Sequence, residues 1–323
     1  MHALLVDPSA PCGLRLGEAA DPEPDPGQVL VQVYHASLNP GELGMLAQLP
    51  TGHVGGYDAA GVVVRPAADG TGPAAGTRVL AFGPGAWAEL LAVRVADVAP
   101  LPDAAALAEA AALPMAGMTA LRTLRAAGSL LGRRVLITGA TGAVGRYGVQ
   151  LAFLSGAHVV ASVRDGAQAP ALAALGAHEV VVGLTGLRQV SEPFDVVLET
   201  VGGPHLVAAW ALLAPGAILH SIGWAGAEPA VFPAGSTFFP GQARTLSSFG
   251  DAAAVGADLS LLAGLLASGA LSAQVGWRGS WERAEEAIGV VRERKVAGKV
   301  VVDITGAHAD EPGAGPGATP ARA

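Results

Sequence analysis

Apolar and polar positions fall into two regimes along this chain. From Met1 to about Pro114, short runs such as QVLVQVYHASL, AAGVVV and TRVLAFG are separated by Gly and Pro clusters, a pattern that predicts a mainly β region. From about Leu121 to Gly223 the period alternates: RRVLITG, RYGVQLAFLSG, HVVASV, APALAALG, EVVVG, FDVVLET, LVAAWALLAPG, AILHSIG. Strands alternating with helices predict βαβ units on a parallel sheet. After Leu259 come a helical SLLAGLLASG, a strand-like AQVGWR, an amphipathic SWERAEEAIGVVRERK and a closing GKVVVDI, which predict a return to the first region. A length of 323 residues suits two cores better than one. The expected fold class is therefore α/β, with a mainly β catalytic domain over 1–117 and 267–305 and a doubly wound, parallel-sheet nucleotide-binding domain over 118–266. Residues 306–323 contain no aliphatic side chain larger than Ala and are expected to form a disordered tail.

The junction VLITGATGAVGRYGVQLA carries the clearest chemistry. Gly139, Gly142 and Gly145 lie between an apolar strand and a helix, with Thr141, Ala143 and Val144 among them. A tight turn without Cβ atoms lets backbone approach a pyrophosphate, and the following helix offers free N–H groups and the positive end of its dipole. This is the arrangement of a Rossmann dinucleotide site. Coenzyme choice is read at the end of the second strand, where an acid would accept from the ribose hydroxyls of NAD. Here that strand runs through Ser162 and Val163 into Arg164. A guanidinium there can hold a 2′-phosphate through paired hydrogen bonds, which points to NADPH. Two other readings stay open: Asp165 turned inward as a ribose acceptor, or Arg164 and Asp165 as a solvated pair on a loop.

Composition narrows the function. A net charge of -8 without any Lys/Arg run leaves no field for collecting nucleic-acid phosphates. One cysteine, Cys12, permits neither an intramolecular disulfide nor a thiolate zinc cage, and MHALLVDPSAPCG has neither the basic nor the apolar part of a secretory leader, so a cytoplasmic protein is expected. Thr200 to Ala227 is free of Asp, Glu, Lys and Arg for longer than the ~20 residues that span a bilayer. Gly202, Gly203, Pro204, Pro215 and Gly216 interrupt it, so helix, turn and strand are expected there and not a membrane span.

Taken in order, LNPGE, GGYDAAGVVV, GTRVLAFG, GAWAELLAV, ALPMAGMTAL, VLITGATGAVGRYGVQLA, DVVLETVGG, LLAPGAILHSIG and VAGKVVVDI resemble the quinone oxidoreductase (ζ-crystallin-like) branch of the medium-chain dehydrogenase/reductase superfamily, as far as about Ile304. The resemblance implies a GroES-like domain, a Rossmann domain and a homodimer. It also implies that Asn39 lies beside the nicotinamide and that Thr119 contacts the coenzyme's ribose or phosphate. Val201 and Gly202 would pass over the coenzyme, followed by Gly223 and Trp224, although Trp224 suits core packing equally. Lys299 would approach the coenzyme phosphates or face solvent.

Zinc-dependent relatives carry a Cys where this chain has Asn39 and a His-Glu pair where it has Tyr57 and Asp58, so no metal site is expected. Without a metal, the implied reaction leaves an anion that hydrogen bonds can stabilise, as when an enone or quinone accepts hydride. Tyr57 is the candidate proton donor, or alternatively only a wall of the pocket, while His53 reads as a solvated loop imidazole. Two departures argue against fatty enoyl thioesters as substrates: the Tyr after the LNP turn is replaced within ELGMLAQL, and the usual Asp after NP by Gly41 followed by Glu42. The expectation is an NADPH-dependent reductase of α,β-unsaturated carbonyl compounds or quinones, acting on small molecules. A redox-neutral cyclase or isomerase on the same fold, or an NADPH-binding sensor without turnover, are the alternatives.

Overall fold

The computed structural model describes residues 1–238 and 241–304. The chain divides into one unit of Met1–Met115 joined by the chain from Ala254 onward, and a second of Ala116–Ala253. The tail expected at 306–323 lies outside the described residues.

The first unit is built on a sheet whose order is Val275–Ser280, Lys299–Asp303, Gln28–Leu38, Asp58–Arg65, Arg78–Phe82, Val98–Pro100, with Leu90–Arg94 also paired to Gln28–Leu38. His2–Val6 and Leu14–Glu18 form a separate antiparallel pair. Val29, Val31 and Val33 point to one core at the two-residue period of a strand. Helix Ala284–Arg292 closes that core with Ala284, Ala287, Ile288 and Val291, the apolar stripe of an amphipathic helix. Strand register gathers three polar side chains. Val300 stands opposite Leu38 and Asp58 opposite Ser37, so Lys299, Asn39 and Asp58 converge at one end of the sheet.

The second unit is a parallel six-stranded sheet in the order Glu179–Val182, His158–Val163, Arg134–Thr138, Phe194–Glu199, Leu213–Ser221, Thr245–Ser248. Numbered within the unit, that is 3-2-1-4-5-6, the doubly wound dinucleotide-binding order. Its central strands are buried almost throughout, as parallel strands covered on both faces must be. The charge-free stretch after Thr200 resolves into helix Gly203–Ala211 and strand Leu213–Ser221, and among the described residues no helix is long and apolar enough to cross a membrane.

The expected domain limits need one correction. Helix Gly256–Ala267 belongs to the first unit, not to the nucleotide-binding one. Val255 N–H donates to Asp97 Oδ1 at 3.1 Å, and a Cβ on Gly256 would meet the carbonyls of Ala96 and Val98 at 2.9 and 3.0 Å. The helix start is thus anchored to the turn Val95–Asp97 that leads into strand Val98–Pro100, and only Gly fits there.

Candidate active site

In the nucleotide-binding unit, Gly139 has a φ of +57°, the left-handed conformation that glycine adopts without strain. A Cβ on Gly145 would lie 2.5 Å from the Gly139 carbonyl oxygen and 2.6 Å from Ala140 Cα, so the third glycine is what lets helix Ala143–Leu154 sit against the strand. Gly142 is the N-cap of that helix and no side chain caps it. Its first-turn N–H groups are therefore left for an anion, the physical requirement of a pyrophosphate cradle.

Past the second strand, Arg164 is exposed. Asp165 is committed elsewhere: its Oδ1 accepts from Ala167 N–H at 2.9 Å and caps the turn Gly166–Gln168. Both Arg164 and Asp165 are exposed on this loop. Ser162 is buried, and its carbonyl accepts from Ala140 N–H at 3.1 Å, tying the second strand to the glycine turn. Arg146, not singled out by the sequence, is buried after the third glycine and reaches Thr141 O at 3.2 Å and Gln168 Oε1 at 2.9 Å, bridging the same two loops.

A second missed residue, Glu199, ends the fourth strand fully buried. Its carboxylate accepts from Thr138 Oγ1 at 2.9 Å and from the N–H groups of Val201 and Gly202 at 3.0 Å. Burial, the leading influence, holds its carboxyl above the ordinary range, against these donors. The result is a fixed crossover loop at 199–202. Trp224 lies over that loop: a Cβ on Gly202 would meet its ring at 2.7 Å, and its Nε1 donates to Glu228 O at 2.7 Å. At 48% exposure Trp224 is not a core residue, which removes that reading. Gly223 packs against Thr200 O, and Thr119 is buried in helix Pro114–Ala126.

The catalytic unit holds a buried polar cluster. Lys299 Nζ donates to Asn39 Oδ1 at 2.6 Å and to Asp58 Oδ2 at 2.8 Å. Asp58 also accepts from Asn39 Nδ2 at 2.9 Å, Ser37 Oγ at 2.8 Å and Met115 N–H at 2.8 Å. With Lys299 only 2% exposed and its ammonium directed at these two partners, the expectation that it faces solvent is corrected. Asn39 likewise has its carbonyl oxygen and one amide hydrogen committed inside the cluster.

Beside it lies a pocket lined by Glu42, Leu46, His53, Gly56, Tyr57 and Trp87, among others. Tyr57 stacks on Phe82 with centroids 5.5 Å apart, and among the described residues nothing hydrogen-bonds its hydroxyl. Gly55 and Gly56 admit the Trp87 indole, which would clash with a Cβ at either position, and Trp87 Nε1 donates to Ser37 O at 3.0 Å. His53 is exposed. Glu42 is 7% exposed, and its Oε2 accepts Asn39 N–H at 2.9 Å.

A mainly β unit that receives its last strand from the chain terminus, followed by a Rossmann sheet with an open glycine cradle, defines a two-domain dehydrogenase/reductase fold. Residues 25–103 match the alcohol dehydrogenase GroES-like domain family and residues 175–302 the zinc-binding dehydrogenase family. The chain belongs to the medium-chain dehydrogenase/reductase superfamily. A trans-enoyl reductase of Aspergillus terreus is 35% identical over 186 residues, 50% of this chain and 61% of the relative. A 2-methylene-furan-3-one reductase of Solanum lycopersicum is 33% identical over 204 residues, 57% of this chain and 52% of the relative. The matches thus span a little over half of these relatives' lengths. A mycobacterial protein solved as a complex with NADPH superposes with a TM-score of 0.82 at 22% identity, over 94% of this chain and 99% of that one.

The zinc in the second family's description does not fit the residues present. At the sheet end where Asn39 and Asp58 meet, the Lys299 ammonium already occupies the cation's place, and among the described residues no group of three His, Cys, Asp or Glu could hold a metal. A dinucleotide does fit, because no side chain caps helix Ala143–Leu154 and its first-turn N–H groups are left beside the glycine turn.

Proposed function

We propose that this protein is an NADPH-dependent, metal-free reductase of α,β-unsaturated carbonyl compounds or quinones, of the quinone oxidoreductase branch. The observation that carries this reading is the uncapped glycine cradle, with an exposed Arg164 and a self-capped Asp165 at the coenzyme-specifying position. The names of the two reductase relatives and the NADPH bound by the mycobacterial neighbour support it.

Gly139 to Gly145, with Thr141, Ala143 and Val144, would hold the pyrophosphate, and Ser162 and Arg164 the adenosine end. Thr119, Val201, Gly202, Gly223 and Trp224 would line the path of the nicotinamide half, with Asn39 beside its ring. The coenzyme supplies hydride. Tyr57, whose hydroxyl is uncommitted, would donate a hydrogen bond to the substrate oxygen where negative charge develops. Lys299 neutralises Asp58, so the neighbouring cluster adds no uncompensated carboxylate to repel that charge.

The test is to incubate the protein with NADPH or NADH and a panel of enones and quinones while following loss of reduced-nicotinamide absorbance. NADPH should be consumed in preference, and Arg164→Ala should weaken NADPH by about tenfold, near 1.4 kcal/mol, with little effect on NADH. Equal use of both coenzymes by the wild type would defeat the assignment of Arg164. We further propose a cytoplasmic homodimer joined through the Rossmann sheets, whose outermost strand Thr245–Ser248 offers an open edge. A monomer in sedimentation velocity at micromolar concentration would refute the dimer.

A further inference from the structure

The buried cluster of the catalytic unit contains one cation and two carboxyl groups. Lys299 approaches Asp58, not Glu42, with both Asn39 and Ser37 directed at the same Asp58 oxygen. Glu42 accepts Asn39 N–H at Oε2, because helix Pro40–Met45 starts at Asn39 and folds its third residue back on the cap. Its other oxygen, Oε1, is buried without a partner. A carboxylate with a bare buried oxygen has a high desolvation cost, which the neutral acid with its proton on that oxygen largely escapes. Glu42 also lines the pocket that Tyr57 lines.

We propose that Glu42 is the general acid of this pocket, holding its proton on Oε1 and delivering it to the reduced substrate. This rests on the reductase reading above. When bound, the reduced nicotinamide would supply hydride, with its electron pair, to the β-carbon of the enone and be oxidised in turn. The π electrons of the alkene move toward the carbonyl, giving an enolate whose oxygen Tyr57 hydrogen-bonds. The Glu42 Oε1–H bond breaks as a C–H or O–H bond forms on that enolate, and the carboxylate regains a proton from water.

Burial first, and then the charge of Asp58, push the Glu42 carboxyl up to about 8, while Lys299 and the Asn39 amide pull the other way. The groups that face it are Asp58 from strand Asp58–Arg65, Lys299 from strand Lys299–Asp303, and His53 and Tyr57 from the pocket loop. Because the native carboxyl keeps its proton where the unfolded one, at its ordinary value of 4.5, has released it, the native state binds more protons between those two values. Stability should therefore fall as pH rises from about 5 to about 8.

The experiment compares wild type, Glu42→Gln and Tyr57→Phe. Glutamine can still accept Asn39 N–H through its amide oxygen, so the helix cap survives, but it has no proton to give. Glu42→Gln is expected to lower kcat for enone reduction at least about a hundredfold with KM changed less than about threefold. It should also remove the fall of kcat above pH ~8 and flatten urea-unfolding stability between pH 5 and 8. Tyr57→Phe should slow turnover and keep both pH dependences. Wild-type turnover with a Glu42→Gln kcat within about twofold, or an unchanged stability slope in that variant, overturns the proposal while leaving the reductase reading intact. No coenzyme consumption by the wild type across the panel overturns both.

Discussion

Lys299→Met is expected to destabilise the protein by about 3–5 kcal/mol in urea unfolding, because removing one partner of a buried pair leaves the other charge without compensation. Asp58 is fully buried, and Lys299 Nζ at 2.8 Å is the only ammonium that meets it among the described residues. Its remaining donors, Ser37 Oγ, Asn39 Nδ2 and Met115 N–H, are neutral and cannot cancel a full charge. Adding Asp58→Asn to Lys299→Met should restore much of the loss, since the orphaned carboxylate is then gone. A loss below about 1 kcal/mol in the single variant would mean that water reaches Asp58 and that the cluster is less dry than its burial implies.

Gly145→Ala is the companion experiment in the nucleotide-binding unit. Its Cβ would lie 2.5 Å from Gly139 O and 2.6 Å from Ala140 Cα, both backbone atoms that cannot swing aside as a side chain would. The glycine turn or the start of helix Ala143–Leu154 must shift, and either movement spoils the cradle. NADPH affinity should fall by about tenfold or more, with a loss of roughly 1–3 kcal/mol in stability from overpacking. Calorimetry that found NADPH binding within about twofold of wild type would show that the helix N-terminus does not form the anion site.

The nucleotide-binding unit was largely legible in the sequence because buried parallel strands are written as unbroken apolar runs. VLIT, HVVASV and DVVLE are such runs, and each ends where the chain turns toward a helix. Strand Thr245–Ser248 carries no such signal. Its TLSS is polar and mostly exposed, held by backbone pairing to Leu213–Ser221 and not by apolar burial. Helix Gly256–Ala267 was legible as a helix, but its ownership was not: an apolar helix does not announce which sheet it covers. The site residues divide in the same way. Gly139, Gly142 and Gly145 are local, and their spacing states their purpose. Lys299 acts on partners 260 and 241 residues away, so only the register of strand Lys299–Asp303 against Gln28–Leu38 reveals its role. Glu42 was visible only as a departure from the family's turn, because a carboxyl's protonation depends on what surrounds it and not on what precedes it.

The late arrival of the strand Lys299–Asp303 bears on synthesis as well as on stability. A nascent chain leaving the ribosome exposes Asn39 and Asp58 early, yet their ammonium partner emerges only after the whole dinucleotide-binding unit has been made. That intervening unit carries its own sheet and can fold by itself, whereas the first must wait with a gap in its sheet beside Gln28–Leu38. Translation that stopped a few residues short of Lys299 would yield a nucleotide-binding half beside an unfinished partner, and quality-control proteases would find their cleavage sites in the latter.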